Sequence, residues 1–224
     1  MKEEIYLKKF LEKIDNDIYD EPKSQLHYSV IKPQTNKVIE KYNLRTSNKI
    51  LDMGCGDGYF LSLLQEKGFT NLVGVTKTDK DIERCKEKGL NDIRKIDMTF
   101  SGIKEEFDFL WCRHVLEHSP YPYLTLHEFN RLVKFESGAY IEVPAAINEA
   151  KHEDNRNHYS LLTKRNWIAL MLRSGFDVDN IEEIKLDIKN PNYKNGEAYP
   201  ETWWGFYLRK TVELNFMKGV LWKQ

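Results

Sequence analysis

The stretch LDMGCGDGYF, residues 51–60, places three glycines at alternate positions directly after an apolar run. Glycine accepts left-handed backbone conformations and lets a neighbouring group approach the main chain closely. The segment 48–53 predicts a strand, and the segment 58–68 predicts a helix that ends at Gly68. A glycine-rich turn between a strand and a helix is typical of ligand sites at the carboxyl edge of an open α/β sheet. The alternative is a turn that only lets the helix pack closely on the strand.

Strand and helix patterns continue to alternate after this first unit. The predicted strands are 71–76, 92–97, 107–112 and 138–144, and the predicted helices are 80–89 and 123–134. Alternation of this kind predicts a parallel sheet with helices on both faces. Right-handed crossovers then bring the carboxyl ends of the strands to one edge of the sheet.

The flanks of this alternating core carry different patterns. Apolar residues at helical spacing predict a helix over residues 5–18, and a second helix is predicted over 33–44, with Pro33 in its first turn. After Pro144, a long polar loop precedes a helix and two strands that we expect to pair antiparallel at the sheet edge. These segments are the loop 145–162, the helix 163–175, and the strands 176–188 and 202–210.

Composition narrows the class of protein. The chain has 224 residues, of which 34 are basic and 35 acidic, and the net charge of -1 gives no general attraction to nucleic acid or to an anionic membrane. Cys55, Cys85 and Cys112 are odd in number and lack C-x-x-C spacing, so they suggest neither a disulfide framework nor a zinc site. The charged start lacks the apolar segment of a signal peptide, and no run is long enough to cross a bilayer. We therefore expect a soluble, cytoplasmic protein, a monomer or a homodimer, with the apolar segment 212–222 as a dimer contact or as part of the core.

Two common nucleotide motifs do not fit the glycine turn. A dinucleotide fingerprint needs a third glycine where Tyr59 stands and an acidic residue where Thr76 ends the second strand. A P-loop needs a Gly-Lys-Ser/Thr sequence, which does not follow. Instead, ILDMGCGDG (50–58) resembles the first motif of class I S-adenosylmethionine (SAM)-dependent methyltransferases. FDFLWCRHVLEHSPYP (107–122) and YIEVP (140–144) are similar to the fourth-strand and fifth-strand segments of the small-molecule group of that family.

This resemblance covers about residues 48–176 and implies both a fold and a cofactor. The implied fold is α/β, a Rossmann-like seven-stranded, mostly parallel sheet with an antiparallel edge strand and helices on both faces. The implied cofactor is SAM, with S-adenosylhomocysteine (SAH) as its product. We expect one methyltransferase domain over residues 1–224. Its parts are an N-terminal helical cap (1–48), a SAM-binding core (49–144), and an acceptor-side loop with the last helix and strand pair (145–224).

The resemblance also implies roles for individual residues. Asp52 and the backbone of Gly54 and Gly56 would hold the methionine end of SAM, and Asp97 would accept a hydrogen bond from the adenine amino group. For Asp97 the alternative is a helix N-cap. The full set of expected cofactor contacts is Asp52, Gly54, Cys55, Gly56, Tyr59, Thr76, Asp97, Met98, Cys112 and Arg113.

The chain departs from the family pattern at two places. Where the family has an acidic residue that grips the ribose, this chain has Thr76, and a neutral hydroxyl makes a weaker bond than a carboxylate. Asp79 in the next turn is a candidate to compensate. The segment 133–140, VKFESGAY, replaces a Lys-Pro-Gly-Gly approach to the fifth strand, and Gly138 is expected to allow the turn there.

Methyl transfer is an in-line displacement, so positioning the two reactants does most of the work. An acceptor that must lose a proton also needs a base, and histidine is well suited to this at neutral pH. The candidates are His114, His118 and His158, the first two on one face if HVLEH (114–118) starts a helix. The alternative is that His114 and His118 are ordinary hydrogen-bonded histidines and that His158 is a surface residue of the polar loop. A third interpretation makes His114 and His118 metal ligands with His152 or His158 and Glu117 or Glu153. Because HVLEH is not H-E-x-x-H, we expect no metal.

The acceptor pocket is predicted from the same resemblance. NHYSLLT (157–163) recurs before the last helix of such methyltransferases and would place His158 and Tyr159 at the acceptor. Four aromatic residues are candidates to cover it, and an aromatic wall also suits a sulfonium cation. These four are Tyr121, Tyr123, Trp203 and Trp204. Neighbouring residues on a strand point to opposite faces, so one tryptophan is expected to pack under a helix. His27 and Tyr28 are candidates for a lid formed by the N-terminal helices.

Three functions fit these patterns. The first is a methyltransferase acting on a small or medium-sized molecule. The second acts on nucleic acid or protein, but the fourth-strand segment lacks the Asn/Asp-Pro-Pro-Tyr/Phe sequence of base-methylating enzymes and there is no basic tail. The third is a SAM-binding protein that transfers no methyl group.

Overall fold

The computed structural model describes residues 2–17, 25–146, 152–189 and 198–214. Within these ranges, strands and α-helices alternate as the sequence predicts. The strands are β1 (Lys49–Met53), β2 (Asn71–Thr76), β3 (Ile93–Lys95), β4 (Phe107–Arg113), β5 (Val133–Pro144), β6 (Phe176–Lys189) and β7 (Ala198–Lys210). The helices are α1 (Lys2–Asp17), α2 (Gln25–Lys41), α3 (Tyr59–Glu66), α4 (Asp79–Glu87), α5 (Pro122–Leu132) and α6 (Lys164–Arg173).

The strands form one sheet in the order β3-β2-β1-β4-β5-β7-β6. β1 is parallel to both β2 and β4, whereas β7 is antiparallel to both β5 and β6. The predicted Rossmann-like, mostly parallel sheet is therefore confirmed, with β6 outermost and β7 beside it. The chain leaves β1 in one direction to β2 and later returns on the other side to β4. Such a switch point opens a crevice at the carboxyl ends of the strands.

Both faces of the sheet are covered by helices. Adjacent strand residues point to opposite faces, so Leu51 and Ile50 enter different cores. Leu51 packs in a cluster with Phe129 of α5 and Trp167 of α6. Ile50 packs in a second cluster with Phe60 of α3. Burial on both faces explains why the strands read as continuous apolar runs.

The second helix begins earlier than the sequence predicts. α2 runs from Gln25, so Pro33 lies inside the helix and not in its first turn. Proline in a helix interior removes a backbone hydrogen bond and is unfavourable locally. Tertiary packing outweighs that cost here, because Val30 and Val38 on either side of the proline are both buried against other parts of the protein.

Gly138 does not form a turn before β5, because the strand already begins at Val133. Glu136 is the residue with a left-handed backbone, at φ 63°, whereas Gly138 has no positive φ. Glycine is needed at 138 for space, since a Cβ there would lie 2.3 Å from the ring of Tyr42. The hydroxyl of Tyr42 donates to the carbonyls of Ala139 and Leu208, which ties α2 and its following turn to β5 and β7.

The adjacent tryptophans of β7 lie on opposite faces, as expected. Trp203 is fully buried and stacks on His27 of α2, with ring centroids 5.1 Å apart. Trp204 lies under Lys164 at the start of α6, 4.3 Å from its Nζ to the ring centroid.

Some predictions fall on residues that the structure does not describe. These are residues 147–151 of the polar loop, 190–197 between β6 and β7, and 215–222 of the segment considered as a dimer contact. Among the helices that are described, none combines the length and apolar character needed to span a membrane.

Candidate functional site

A cavity of about 490 Å³ opens at the carboxyl ends of β1, β2 and β4, where the switch point predicts a ligand. Its size is within the roughly 300–1,000 Å³ usual for small-molecule and cofactor sites. Five of the six histidines in the chain line it. The residues predicted from sequence that line it are Asp52, Gly54, Cys55, Gly56, Tyr59, Thr76, Asp97, Met98, Arg113, His114, His118, His158 and Tyr159.

The glycine turn forms one wall of this cavity. Gly54, Gly56 and Gly58 all have positive φ, at 84°, 53° and 77°. The amides of Gly54 and Cys55 both donate to the carbonyl of Val75, at 2.9 and 2.8 Å, and so fix the turn to β2. A Cβ on Gly54 would lie 2.2 Å from Cγ2 of Val115. The turn is therefore shaped by close packing as well as by its left-handed backbone.

Asp52 lies beside the turn at the centre of the sheet. It pairs with Gly74 of β2 and Trp111 of β4, and only 3% of its surface is exposed. Its place between the two diverging halves of the sheet puts a carboxylate at the switch point itself.

Asp97 follows β3 and faces the same cavity. Its Oδ1 accepts from the amides of Thr99 at 2.7 Å and Phe100 at 3.2 Å, and its Oδ2 pairs with Nζ of Lys77 at 2.7 Å. Asp97 is not a helix N-cap, because no helix begins there, although its side chain accepts from backbone amides as an N-cap would. Lys77, which also lines the cavity, was missed from the sequence.

The residues after β2 differ from the prediction. Thr76 lines the cavity and donates to Oδ2 of Asp81 at 3.3 Å, and Asp81 lines it as well. Asp79 is not among the lining residues; its side chain is 75% exposed and pairs with Lys95 at 2.6 Å. The carboxylate beside Thr76 is therefore Asp81 and not Asp79, the residue suggested from the sequence.

A buried ion pair closes the end of β4. Arg113 Nε lies 2.6 Å from Oε1 of Glu142 on β5, and the guanidinium stacks over Trp203 at 4.8 Å. Glu142 is fully buried and also accepts from the hydroxyl of Tyr140 at 2.7 Å. Burial opposes ionisation of Glu142, but the charge of Arg113 and the contact with His114 prevail and hold the pKa of that carboxyl below its usual value.

His114 sits between two buried carboxylates. Its Nε2 donates to Oε1 of Glu142 at 3.1 Å, and its Nδ1 lies 3.4 Å from Oε1 of Glu117. Burial acts to lower the pKa of His114, but the contacts with Glu117 and Glu142 outweigh it, and the pKa is raised. Its backbone has φ 52°, so the chain turns sharply at this residue.

HVLEH does not start an α-helix, so the expected pairing of His114 and His118 on one helical face is wrong. Only Leu116–His118 form a single 3₁₀ turn. The turn brings a different set together: Glu117, His118 and His158 have ligand-type atoms all within 4.8 Å of one another. His118 Nδ1 donates to the carbonyl of Asn157 at 3.0 Å, and burial lowers the pKa of His158.

Cys112 is the one predicted cofactor contact outside the cavity lining. Its side chain is fully buried in the apolar cluster on the other side of β4, together with Leu51 and Leu116. Burial raises the pKa of this thiol well above its ordinary value, so it is a core residue. Strand alternation separates it from Arg113, which turns toward the cavity.

The N-terminal helices cover the cavity. Leu11 and Ile14 of α1 and His27 and Ile31 of α2 line it. Tyr28 donates to Oδ2 of Asp57 in the glycine turn at 3.0 Å. His27 and Tyr28 were predicted from the sequence as part of a cover. The role of Leu11 and Ile14 was not predicted, because their pattern is the same as that of ordinary core residues.

Of the aromatic residues expected to cover the acceptor, Tyr121 lines the cavity and contacts Phe10 of α1, with ring centroids 5.8 Å apart. Tyr123, Trp203 and Trp204 are not among the lining residues. Trp203 contacts two of the lining residues: it stacks on His27 and meets the ring of His114 edge-on, with centroids 4.5 Å apart.

A family model described as a methyltransferase domain matches residues 24–181, most of the chain and all of the cavity's glycine turn. The chain belongs to the methyltransferase-domain family. The cofactor of this methyltransferase family is SAM and its product is SAH. The residues present suit that cofactor, because the cavity is large enough, is lined by the glycine turn, and carries carboxylates at both Asp52 and Asp97.

This methyltransferase-domain chain is also similar to individual proteins in sequence and in structure. It is 28% identical to an uncharacterised protein of Methanocaldococcus jannaschii over 82% of this chain and 51% of that protein. It is 31% identical to a ubiquinone biosynthesis O-methyltransferase of Paracidovorax citrulli over 38% of this chain and 39% of that one. The matches thus span about half or less of these curated relatives. The crystal structure of a SAM-dependent methyltransferase from Archaeoglobus fulgidus shares the fold, with a TM-score of 0.64, 19% identity, and coverage of 82% of this chain and 94% of that one.

Proposed function

We propose that this chain is a SAM-dependent methyltransferase (EC 2.1.1.-) that moves the methyl group of SAM to an oxygen, nitrogen or carbon atom of a small or medium-sized acceptor in the cytoplasm. The observation that carries the proposal is the continuity of one cavity. The glycine turn lines it, and so do a cluster of histidines, Tyr121 and Tyr159. Covering helices leave a bounded space that suits a small molecule better than a duplex or a folded protein.

The cofactor lies along the carboxyl ends of the strands in this proposal. Asp52 and the backbone of Gly54 and Gly56 hold the methionine end, and Asp97 receives the adenine. Thr76 and Asp81 together face the ribose, so that Asp81 supplies the carboxylate that Thr76 lacks. Charge-assisted bonds are roughly twice as strong as neutral ones, which makes Asp81 the stronger ribose contact of the two.

The transfer step itself asks little covalent chemistry of the protein. The bond between the methyl carbon and the acceptor atom forms as the carbon–sulfur bond breaks, and the bonding electron pair stays on sulfur, which gives neutral SAH. A proton leaves the acceptor when that atom is a hydroxyl or an amine. His114, His118 and His158 line the acceptor end and are the proposed groups for orienting the acceptor and receiving that proton. Tyr159 is proposed to contact the acceptor beside them.

Titration calorimetry with SAM and SAH tests the cofactor site. We expect micromolar binding of both ligands, and a loss of about 1.5–3 kcal/mol, or roughly tenfold to a hundredfold in affinity, for Asp52→Asn, because a buried charge-assisted contact is removed. Asp92→Asn is the matched control, since Asp92 is exposed and pairs with Arg94 away from the cavity. Absence of heat and of a thermal shift with either ligand would overturn the proposal.

Labelled SAM then separates the three acceptor hypotheses. With methyl-labelled SAM and a cell extract split by size, we expect label in the small-molecule fraction. Label confined to protein or nucleic acid would overturn the acceptor class. Tight SAM binding without label in any fraction would favour a cofactor-binding protein that does not transfer methyl groups.

The cover formed by α2 is tested by Tyr28→Phe. Loss of the hydrogen bond from Tyr28 to Asp57 is expected to weaken SAM binding by about 0.5–1.5 kcal/mol, mainly through faster dissociation, because the helix is then held less firmly over the turn. Stopped-flow displacement of SAM measures the rate. Tyr123→Phe removes a hydroxyl from a side chain that is 42% exposed and outside the cavity, and should leave the rate unchanged. Equal rates for wild type and Tyr28→Phe would contradict the covering role.

A further inference from the structure

Three ligand-type side chains converge at the acceptor end of the cavity. We propose that Glu117, His118 and His158 bind a divalent transition-metal cation, with zinc as the reference ion. Their ligand atoms lie within 4.8 Å of one another, and all three residues line the cavity. Two imidazoles and one carboxylate are a donor set common to catalytic zinc and iron sites.

Glu117 is the strongest reason for a cation here. The residue is 1% exposed, and neither carboxylate oxygen has a hydrogen-bond partner among the residues that the structure describes. His114 forms an ion pair with Oε1 at 3.4 Å, which leaves Oε2 without a hydrogen bond or an ion pair among the described residues. A buried carboxylate without hydrogen bonds is costly, and buried charges are normally paired or bound to a metal. A cation in contact with Glu117 removes that cost.

The two histidines are already oriented as metal ligands are. His118 Nδ1 donates to the carbonyl of Asn157 at 3.0 Å, and His158 Nδ1 donates to the carbonyl of His152 at 2.9 Å. A backbone carbonyl on one ring nitrogen fixes the tautomer and leaves the lone pair of Nε2 available, which is the usual outer-shell arrangement of metal-binding histidines. In this structure the amide of Asn155 donates to that lone pair on His158 at 3.2 Å, and the cation would replace it.

The spacing suits a cation after a small contraction. Ligand atoms at about 2.0–2.2 Å from a metal in tetrahedral or octahedral arrangement lie roughly 3–3.5 Å apart, so atoms within 4.8 Å need to close by little more than about 1.5 Å. The imidazoles favour zinc, iron or a similar ion over magnesium, which prefers oxygen ligands. Three protein ligands leave at least one coordination position open toward the cavity.

The open position deepens the proposed function, on which this part of the inference rests. A bound cation would receive an oxygen of the acceptor and lower its pKa, which favours acceptors with a hydroxyl group. His118 and His158 then hold the cation, and the imidazole of His114 remains between Glu117 and Glu142. The metal alternative raised from the sequence joined His114 and His118 with His152 or His158 and Glu117 or Glu153. The present proposal keeps His118, Glu117 and His158 of that set and leaves His114 out.

Metal binding without SAM or acceptor tests the site directly. The full-length chain is stripped with EDTA, dialysed, and titrated with Zn²⁺ by calorimetry and with Co²⁺ by visible absorption. We expect one equivalent of Zn²⁺ with micromolar or tighter affinity, Co²⁺ bands of a low-coordinate site, and displacement of Co²⁺ by Zn²⁺. Glu117→Gln and His158→Gln should each weaken binding at least tenfold. His127→Gln, on α5 outside the cavity, should not change it.

The outcomes separate this inference from the proposed function. No stoichiometric uptake, or uptake that falls equally in His127→Gln, overturns the metal site and leaves Glu117 paired with His114 alone. If Glu117→Gln fails to fold, His158→Gln decides, because His158 lies on the loop after β5 and is part-exposed. Cofactor binding in the calorimetric test with SAM is independent of both results, so either proposal can fail alone.

Discussion

Replacing Glu142 with alanine is expected to lower the free energy of unfolding by about 3–5 kcal/mol, because it leaves the guanidinium of Arg113 buried without its carboxylate. The same change removes the acceptor for His114 Nε2 and for the hydroxyl of Tyr140. Urea unfolding followed by circular dichroism measures the difference. Glu183→Ala on β6 is the control, since that side chain is 45% exposed and should change stability by no more than about 0.5 kcal/mol.

A double variant separates the uncompensated charge from the loss of packing. Arg113→Leu combined with Glu142→Leu removes both charges and keeps apolar volume, and buried pairs replaced in this way are often neutral in stability. The double variant should therefore be more stable than Glu142→Ala while it loses cofactor affinity, because Arg113 lines the cavity. A Glu142→Ala variant within about 1 kcal/mol of wild type would show that the ion pair does not hold this part of the sheet together.

Gly54→Ala is expected to abolish measurable SAM binding and to destabilise the fold more than a matched glycine substitution elsewhere. Both Gly54 and Gly68 have positive φ, at 84° and 88°, so alanine costs about 1–2 kcal/mol of backbone strain at either position. At Gly68 a Cβ meets only Thr46 at 3.6 Å, an ordinary contact. At Gly54 it would overlap Val115 at 2.2 Å, which adds about 1–3 kcal/mol of overpacking and displaces the turn.

The pair is measured by thermal unfolding with and without SAM. Gly68→Ala should keep its SAM-induced shift in melting temperature, and Gly54→Ala should lose it. Equal destabilisation by the two substitutions would show that backbone strain alone matters at Gly54. Retained SAM binding in a folded Gly54→Ala variant would show that the turn does not need its present shape.

Much of the fold could be predicted because local patterns and tertiary structure agree. The strands around Leu51 and Leu110 are buried on both faces. Such strands can be recognised in the sequence as continuous apolar runs between glycines. The glycine turn was also predictable, since three residues with positive φ at alternate positions strongly favour glycine. These are features in which each residue's own conformational preference decides.

The features that could not be predicted depend on contacts between distant segments. Pro33 lies inside α2 because burial of Val30 and Val38 outweighs a local penalty. Gly138 is required by the ring of Tyr42, which is far away in sequence. Within the site, Asp81 rather than Asp79 faces the cavity because α4 begins at once and turns Asp79 toward Lys95. The proximity of Glu117 to His158 depends on the path of the loop after β5, and hydrophobic periodicity does not predict the path of a loop.

The concentration of histidines in one cavity has a spectroscopic consequence. His27, His114, His118, His152 and His158 line the cavity, and His127 lies on α5 outside it. In a sample labelled with ¹⁵N only at histidine, five of six imidazole signals therefore report on this one space, and the sixth serves as an internal reference. A series of such spectra, recorded as cofactor, acceptor and cation are added in turn, would report which of these imidazoles each addition affects.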